Sequence, residues 1–112
     1  MEDKAKELRK NGDFANSIKT TNTIIGMKRA QVEKIAVEEQ RSSAKRQLAR
    51  SLIFKGEVAL LLGEKKDAMD CINEASDLLK ENGATHGDES VLKIEKFRKT
   101  IGKKREQKIT FF

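Results

Sequence analysis

Apolar residues recur along the 112-residue chain at intervals of three and four, and glycines punctuate the intervals. That spacing places them on one side of a helix. The clearest case is Asp67–Glu81, with Ala68, Ile72, Ala75 and Leu79 in one stripe and Asn82-Gly83 as a stop signal. Val91, Ile94, Phe97 and Ile101 predict a last helix over Val91–Ile101, capped by Asp88 or Ser90 after a loop at Ala84–Glu89. Near the start, Lys4–Lys10 reads as a short helix and Asn11-Gly12-Asp13 as a turn. Asp13 is the N-cap of a helix over Phe14–Ile25, which Gly26 closes in the C′ position. The Thr20-Thr21-Asn22-Thr23 run weakens that helix's propensity, so packing must hold it. From Met27 to Leu62 there is one stripe at Val32, Ile35 and Ala36 and another at Leu48, Leu52, Ile53, Val58, Ala59 and Leu62. Between them Glu38–Gln47 holds no large apolar residue. The segment reads as one long helix with a solvated middle, or as two nearly collinear helices broken at Ser42-Ser43.

Composition agrees with the pattern. Proline, tryptophan and tyrosine are absent, aromatics make up 4% and charged residues 38%. This excludes a β-sandwich with regular turn signals and a proline-rich linker. The expected fold is all-α: four to five antiparallel helices, one of them long. Residues 1–101 form a single domain, and 102–112 form a basic C-terminal tail with a Phe-Phe end.

Charge changes the picture most. Residues 1–90 hold 16 basic and 16 acidic side chains, whereas residues 91–112 hold eight basic and two acidic ones. The net charge of +6 therefore resides in the last fifth of the chain. Lys93, Lys96, Arg98, Lys99, Lys103, Lys104, Arg105 and Lys108 are the candidate residues for binding an acidic partner or nucleic acid. Ile109, Phe111 and Phe112 are costly to leave in water on a tail, so they are candidates for docking into a partner, either as a short linear motif or as an added strand. A second basic set, Lys28, Arg29, Lys34, Arg41, Lys45, Arg46 and Arg50, stands against Glu33, Glu38 and Glu39. It offers another surface if the long helix projects.

Chemistry-bearing motifs are few. His86 is the only histidine, and its neighbours Asp88 and Glu89 do not complete a metal site. Cys71, the only cysteine, lies among Ala68, Ile72 and Ala75 and reads as a small core residue. No nucleophile elbow, phosphate-cradling loop or HExxH motif is present, so the chain reads as a non-enzyme without cofactor. The longest apolar run, Val58–Leu62, is far below the ~20 residues of a membrane span. Met1–Lys10 is charged from its second residue and does not look like a signal peptide. A lone cysteine then suggests a reducing compartment, cytoplasmic or nuclear.

The most specific pattern is a set of small residues. Gly56, Gly63, Ala68, Ile72 and Ala75 stand seven, five, four and three residues apart. The pattern recurs weakly at the N-terminus, where Ala5, Leu8, Gly12, Phe14 and Ser17 occupy the matching offsets, with Phe14 in the aromatic slot after the turn glycine. Such spacing lets two helices approach closely across a tight turn. It resembles the tetratricopeptide repeat, best over Gly56–Ala75 and weakly over Ala5–Ser17. Lys55, Lys65 and Lys80 depart from that family's pattern, and the two units lie 51 residues apart (Gly12 to Gly63) rather than at its 34-residue period. The resemblance implies helical hairpins, no catalysis, and a concave groove that holds a peptide or partner helix. The expected function is a non-catalytic protein–protein interaction module, an adaptor or small subunit of a larger assembly, anchored by its basic C-terminus. The alternative is a basic helical nucleic-acid-binding protein such as a ribosome-associated factor.

Overall fold

In a computed structural model of the chain, residues 2–84 and 87–110 are described, the last nine of them by backbone alone. Five helices follow one another: α1 (Glu2–Lys10), α2 (Phe14–Lys34), α3 (Glu38–Leu61), α4 (Lys65–Glu81) and α5 (Glu89–Thr110). No strand occurs among the described residues, so the all-helical class expected from the sequence is present. None of these helices is long and apolar enough to cross a membrane.

Two turns share one construction. Gly12 and Gly63 take left-handed φ values of +83° and +84°, which a residue bearing a Cβ adopts only with strain. After α1, Asp13 N–H donates to the Leu8 carbonyl and Gly12 N–H to that of Arg9. After α3, Glu64 N–H donates to Ala59 and Gly63 N–H to Leu60. Both are Schellman motifs, which satisfy carbonyls that a helix end leaves open. Asp13 then caps α2: its Oδ1 accepts from Asn16 N–H, and its Oδ2 accepts from the Asn16 side chain at 2.8 Å.

Small residues allow close approach at both turns. Ser17 and Ala5 are buried between α1 and α2, and the Ser17 hydroxyl donates to the Ala5 carbonyl at 2.7 Å. Between α3 and α4, a Cβ built on Gly56 would stand 3.1 Å from Ile72 Cδ1 and 3.2 Å from the Ala68 carbonyl oxygen. Ala68, Ile72 and Ala75 are fully buried there. The core runs from Ile25 through Leu48, Leu52 and Ile53 of α3 to Ile72 and Leu79 of α4. Ile94, Phe97 and Ile101 of α5 close it. The threonine-rich run of α2 is held as expected by packing: Thr21 is buried and donates to the Ser17 carbonyl, and Ile24 and Ile25 follow it into the interior.

Helices α1, α4 and α5 each start two residues earlier than expected, and three boundaries differ by more. Gly26 does not end α2; it lies inside the helix without a positive φ. Its cost of about 1 kcal/mol is outweighed by the good helix formers of Met27–Lys34. The break between α2 and α3 falls at Ile35–Val37 and not at Ser42-Ser43, which lie within α3. Ile35 and Val37 take extended ψ values of 123° and 124°, and Arg41 closes the gap by donating from Nε and Nη2 to the Ile35 carbonyl. The two helices are not collinear. Lys28 of α2 reaches the Gln47 carbonyl and the Ser51 hydroxyl of α3, so the pair packs side by side. The polar stretch is accordingly not solvated on all sides, since residues 41–46 are half-buried. Lastly, α5 does not stop at Ile101; its backbone continues helical through Gly102 to Thr110, where a tail was expected. Lysine, arginine, glutamate and glutamine are strong helix formers and carry the helix across one glycine.

Candidate functional site

The first four cationic positions of the expected C-terminal site are distributed around α5. Ile94, Phe97 and Ile101 turn inward, which leaves Lys93, Lys96 and Lys99 exposed at three-residue intervals along its outer side. Arg98 lies on the opposite flank and donates from Nη2 to Asn73 Oδ1 of α4 at 3.2 Å. Lys93 stands 3.8 Å from Glu89, one turn before it. The side chains of Lys103, Lys104, Arg105, Lys108 and Ile109 lie outside what the structure describes, as do Phe111, Phe112 and His86.

The second basic set does not form one surface. Lys28, only 19% exposed, is held by Glu2 Oε1 and Ser51 Oγ, each at 2.7 Å. The hydrogen bond from Lys28, and then its charge, holds the Glu2 carboxyl below its ordinary value. Arg29 pairs with Glu74 of α4 at 2.7 Å, and this hydrogen bond raises its already high pKa. Arg41 serves the α2–α3 break. Lys34 and Arg50 are exposed, Arg50 beside a cleft, and Lys45 and Arg46 are half-buried.

That cleft, of about 890 Å³, crosses α1, α3 and α5, with α2 behind it. Ile24 and Ile53 form its buried floor, while Phe14 and Phe54 are half-buried and Leu61 is 53% exposed. Six cations line it: Lys6, Arg9, Lys10, Lys28, Arg50 and Lys93. Three carboxylates face them, Glu2, Glu57 and Glu89. Each carboxylate is already engaged: Glu2 with Lys28, Glu57 with Arg9 at 3.7 Å, and Glu89 with Lys93. Arg9 also lies over the Phe54 ring, 5.5 Å from its centroid. Among the described residues Lys6, Lys10 and Arg50 enter no ion pair. The cleft is therefore apolar at its base and positive at its rim.

Most of this site is absent from the sequence reading, which named Lys93 in one set and Lys28 and Arg50 in another. Arg9, Phe54, Glu57 and Leu61 carry no local signal. The one clue was the repeated small-residue spacing, which sets α1 against α2 and α3 against α4 in the same way.

A second, smaller groove of about 470 Å³ lies between α2, α3 and α4. Cys71 is buried at its base, and burial pushes its thiol pKa up, so the thiol is protonated and behaves as an apolar group. Among the described residues no group of three His, Cys, Asp or Glu side chains is placed to hold a metal ion. No protein-family model matches the chain, and no curated protein or solved structure matches it either.

Proposed function

We propose that this protein is a non-catalytic protein–protein interaction module, an adaptor or small subunit of a larger assembly. It is built from antiparallel helical hairpins resembling tetratricopeptide repeats. The observation that carries this reading is the cleft across α1, α3 and α5, which combines an apolar floor with three cations left over after every carboxylate is paired. Ligand sites combine apolar walls with a few placed polar groups in this way. The recurrence of the Ala5/Gly12/Ser17 spacing at Gly56/Gly63/Ala68 supports the repeat-like reading, because Ser17 is buried against Ala5 across the first turn and Ala68 against Gly56 across the second. The basic helix α5 flanks the cleft and acts as an anchor on an acidic surface.

The test is affinity capture from the native cell extract with the full chain and two variants, Lys10→Glu/Arg50→Glu in the cleft and Lys96→Glu/Lys99→Glu on α5. Specific partners should be lost with the first variant and weakened with the second. Capture that is indifferent to the cleft variant refutes the reading.

The exposed Lys93, Lys96 and Lys99 row supports a second reading, a helical nucleic-acid-binding protein. Phosphate contacts would make such binding strongly salt-dependent. Binding of generic RNA or duplex DNA at low salt, abolished by Lys96→Glu/Lys99→Glu, is the result that would favour it.

A further inference from the structure

The proposed module leaves open what chemistry its partner presents, and the cleft narrows it. An extended peptide carries an N–H and a C=O at every residue, and both need partners once buried. The cleft offers few acceptors. Its three carboxylates are ion-paired with cations, Ser51 already accepts from Lys28, and the Thr21 and Ser90 hydroxyls are buried. Gln47 is its one carboxamide. The walls are helices, whose backbone groups away from their ends are consumed internally, with no sheet edge among the described residues. A helix satisfies its backbone itself and presents only side chains, so it suits these walls where a strand does not.

Charge and shape then choose the helix. Lys6, Lys10 and Arg50 surround the apolar floor and enter no ion pair among the described residues. Leu61, 53% exposed, extends that floor at one side. A nucleic-acid backbone fits less well, since its phosphates would meet the cations but offer nothing apolar to the half-buried Phe54 or the exposed Leu61.

Resting on the interaction-module reading, we infer that the cleft binds an acidic amphipathic helix of a protein partner. Apolar residues at i and i+3 or i+4 sit on the half-buried Phe14 and Phe54 and on Leu61, and flanking Asp or Glu side chains meet Lys6, Lys10 and Arg50.

The test is a display library of 16-residue helical peptides, with acidic, basic, neutral and apolar residues varied, selected against the full-length protein at physiological salt. Enriched peptides should be net acidic with apolar residues at helical spacing. Synthetic copies should gain helical circular dichroism on binding. Lys10→Glu/Arg50→Glu should weaken them at least tenfold, and Leu61→Ser several-fold, with both variants folded by circular dichroism. Enrichment of neutral or basic peptides, undiminished binding by the charge-reversed variant, or no enrichment at all overturns the inference. So does a 20-nucleotide RNA that binds through Lys10 and Arg50 where peptides fail. If no acidic helix is enriched while Lys10→Glu/Arg50→Glu still abolishes partner capture from extract, the helix is refuted and the interaction module stands.

Discussion

Ile72 packs against the bare α-carbon of Gly56: a Cβ there would meet Ile72 Cδ1 and Cγ1 at 3.1 Å and the Ala68 carbonyl oxygen at 3.2 Å. The isoleucine end can shift slightly, but the carbonyl belongs to the α4 backbone and cannot. Gly56→Val should therefore destabilise the protein by about 1–3 kcal/mol through overpacking. Gly56→Ala should cost less, because its helix-propensity gain of up to about 1 kcal/mol opposes the contact. Pairing Gly56→Ala with Ile72→Val should recover part of the loss, read as non-additivity in a urea-unfolding cycle. Wild-type stability in Gly56→Val would show that α3 and α4 are not this close.

The same argument applies to the first hairpin. Ser17 is wholly buried against Ala5. Ser17→Ala keeps the volume and removes one hydrogen bond to a carbonyl, for a loss of about 1 kcal/mol. Ser17→Leu must push α1 away. Its signature should be faster amide exchange confined to residues 2–10, with the rest of the core protected.

Lys28 and Glu2 give a pH-dependent prediction. The hydrogen bond from Lys28 lowers the Glu2 pKa from its ordinary 4.5. A depressed carboxyl contributes stability that is present above 4.5 and is lost as pH falls through the folded value. In Lys28→Met, Glu2 should titrate closer to 4.5 by side-chain NMR. An unchanged Glu2 titration would mean the ion pair is not formed in solution. The Glu2 side chain is 59% exposed, so the stability at stake is small.

Arg41 closes the α2–α3 break with two hydrogen bonds to one carbonyl, at 3.1 and 2.7 Å. Arg41→Ala should lower stability by about 1–2 kcal/mol. Arg41→Lys should not restore it, since an ammonium cannot reproduce the planar two-donor contact. Chemical denaturation checks both, and a fully rescuing lysine would make the contact merely electrostatic.

Local chemistry made much of this fold readable in advance. Where one residue type has one job, the reading is direct: Asp13 caps α2 and Gly63 turns α3 into α4, while of the two cap candidates for α5 it is Asp88 that accepts, from Ser90 N–H. Boundaries that depend on a competition were not. Gly26 and Gly102 look like stops, yet the helix formers that follow each of them outweigh about 1 kcal/mol. At Ile35–Val37 the chain turns without glycine or proline, because Arg41, six residues on, holds the Ile35 carbonyl.

By itself, then, the amino-acid order determined an all-helical chain, its small-residue contacts and the concentration of net charge after residue 90. These follow from propensity, periodicity and counting, which act over a few residues. Only the tertiary structure decided the cleft. Arg50 and Phe54 share one face of α3, but Arg9 of α1 and Lys93 of α5 lie tens of residues away, and no periodicity links the three helices. Only the tertiary structure also showed that Lys28, Arg29 and Arg41, three cations of one apparent patch, are engaged within the fold while Lys6, Lys10 and Arg50 face a shared apolar floor. Charge is a property of composition, whereas its availability depends on which neighbours packing supplies.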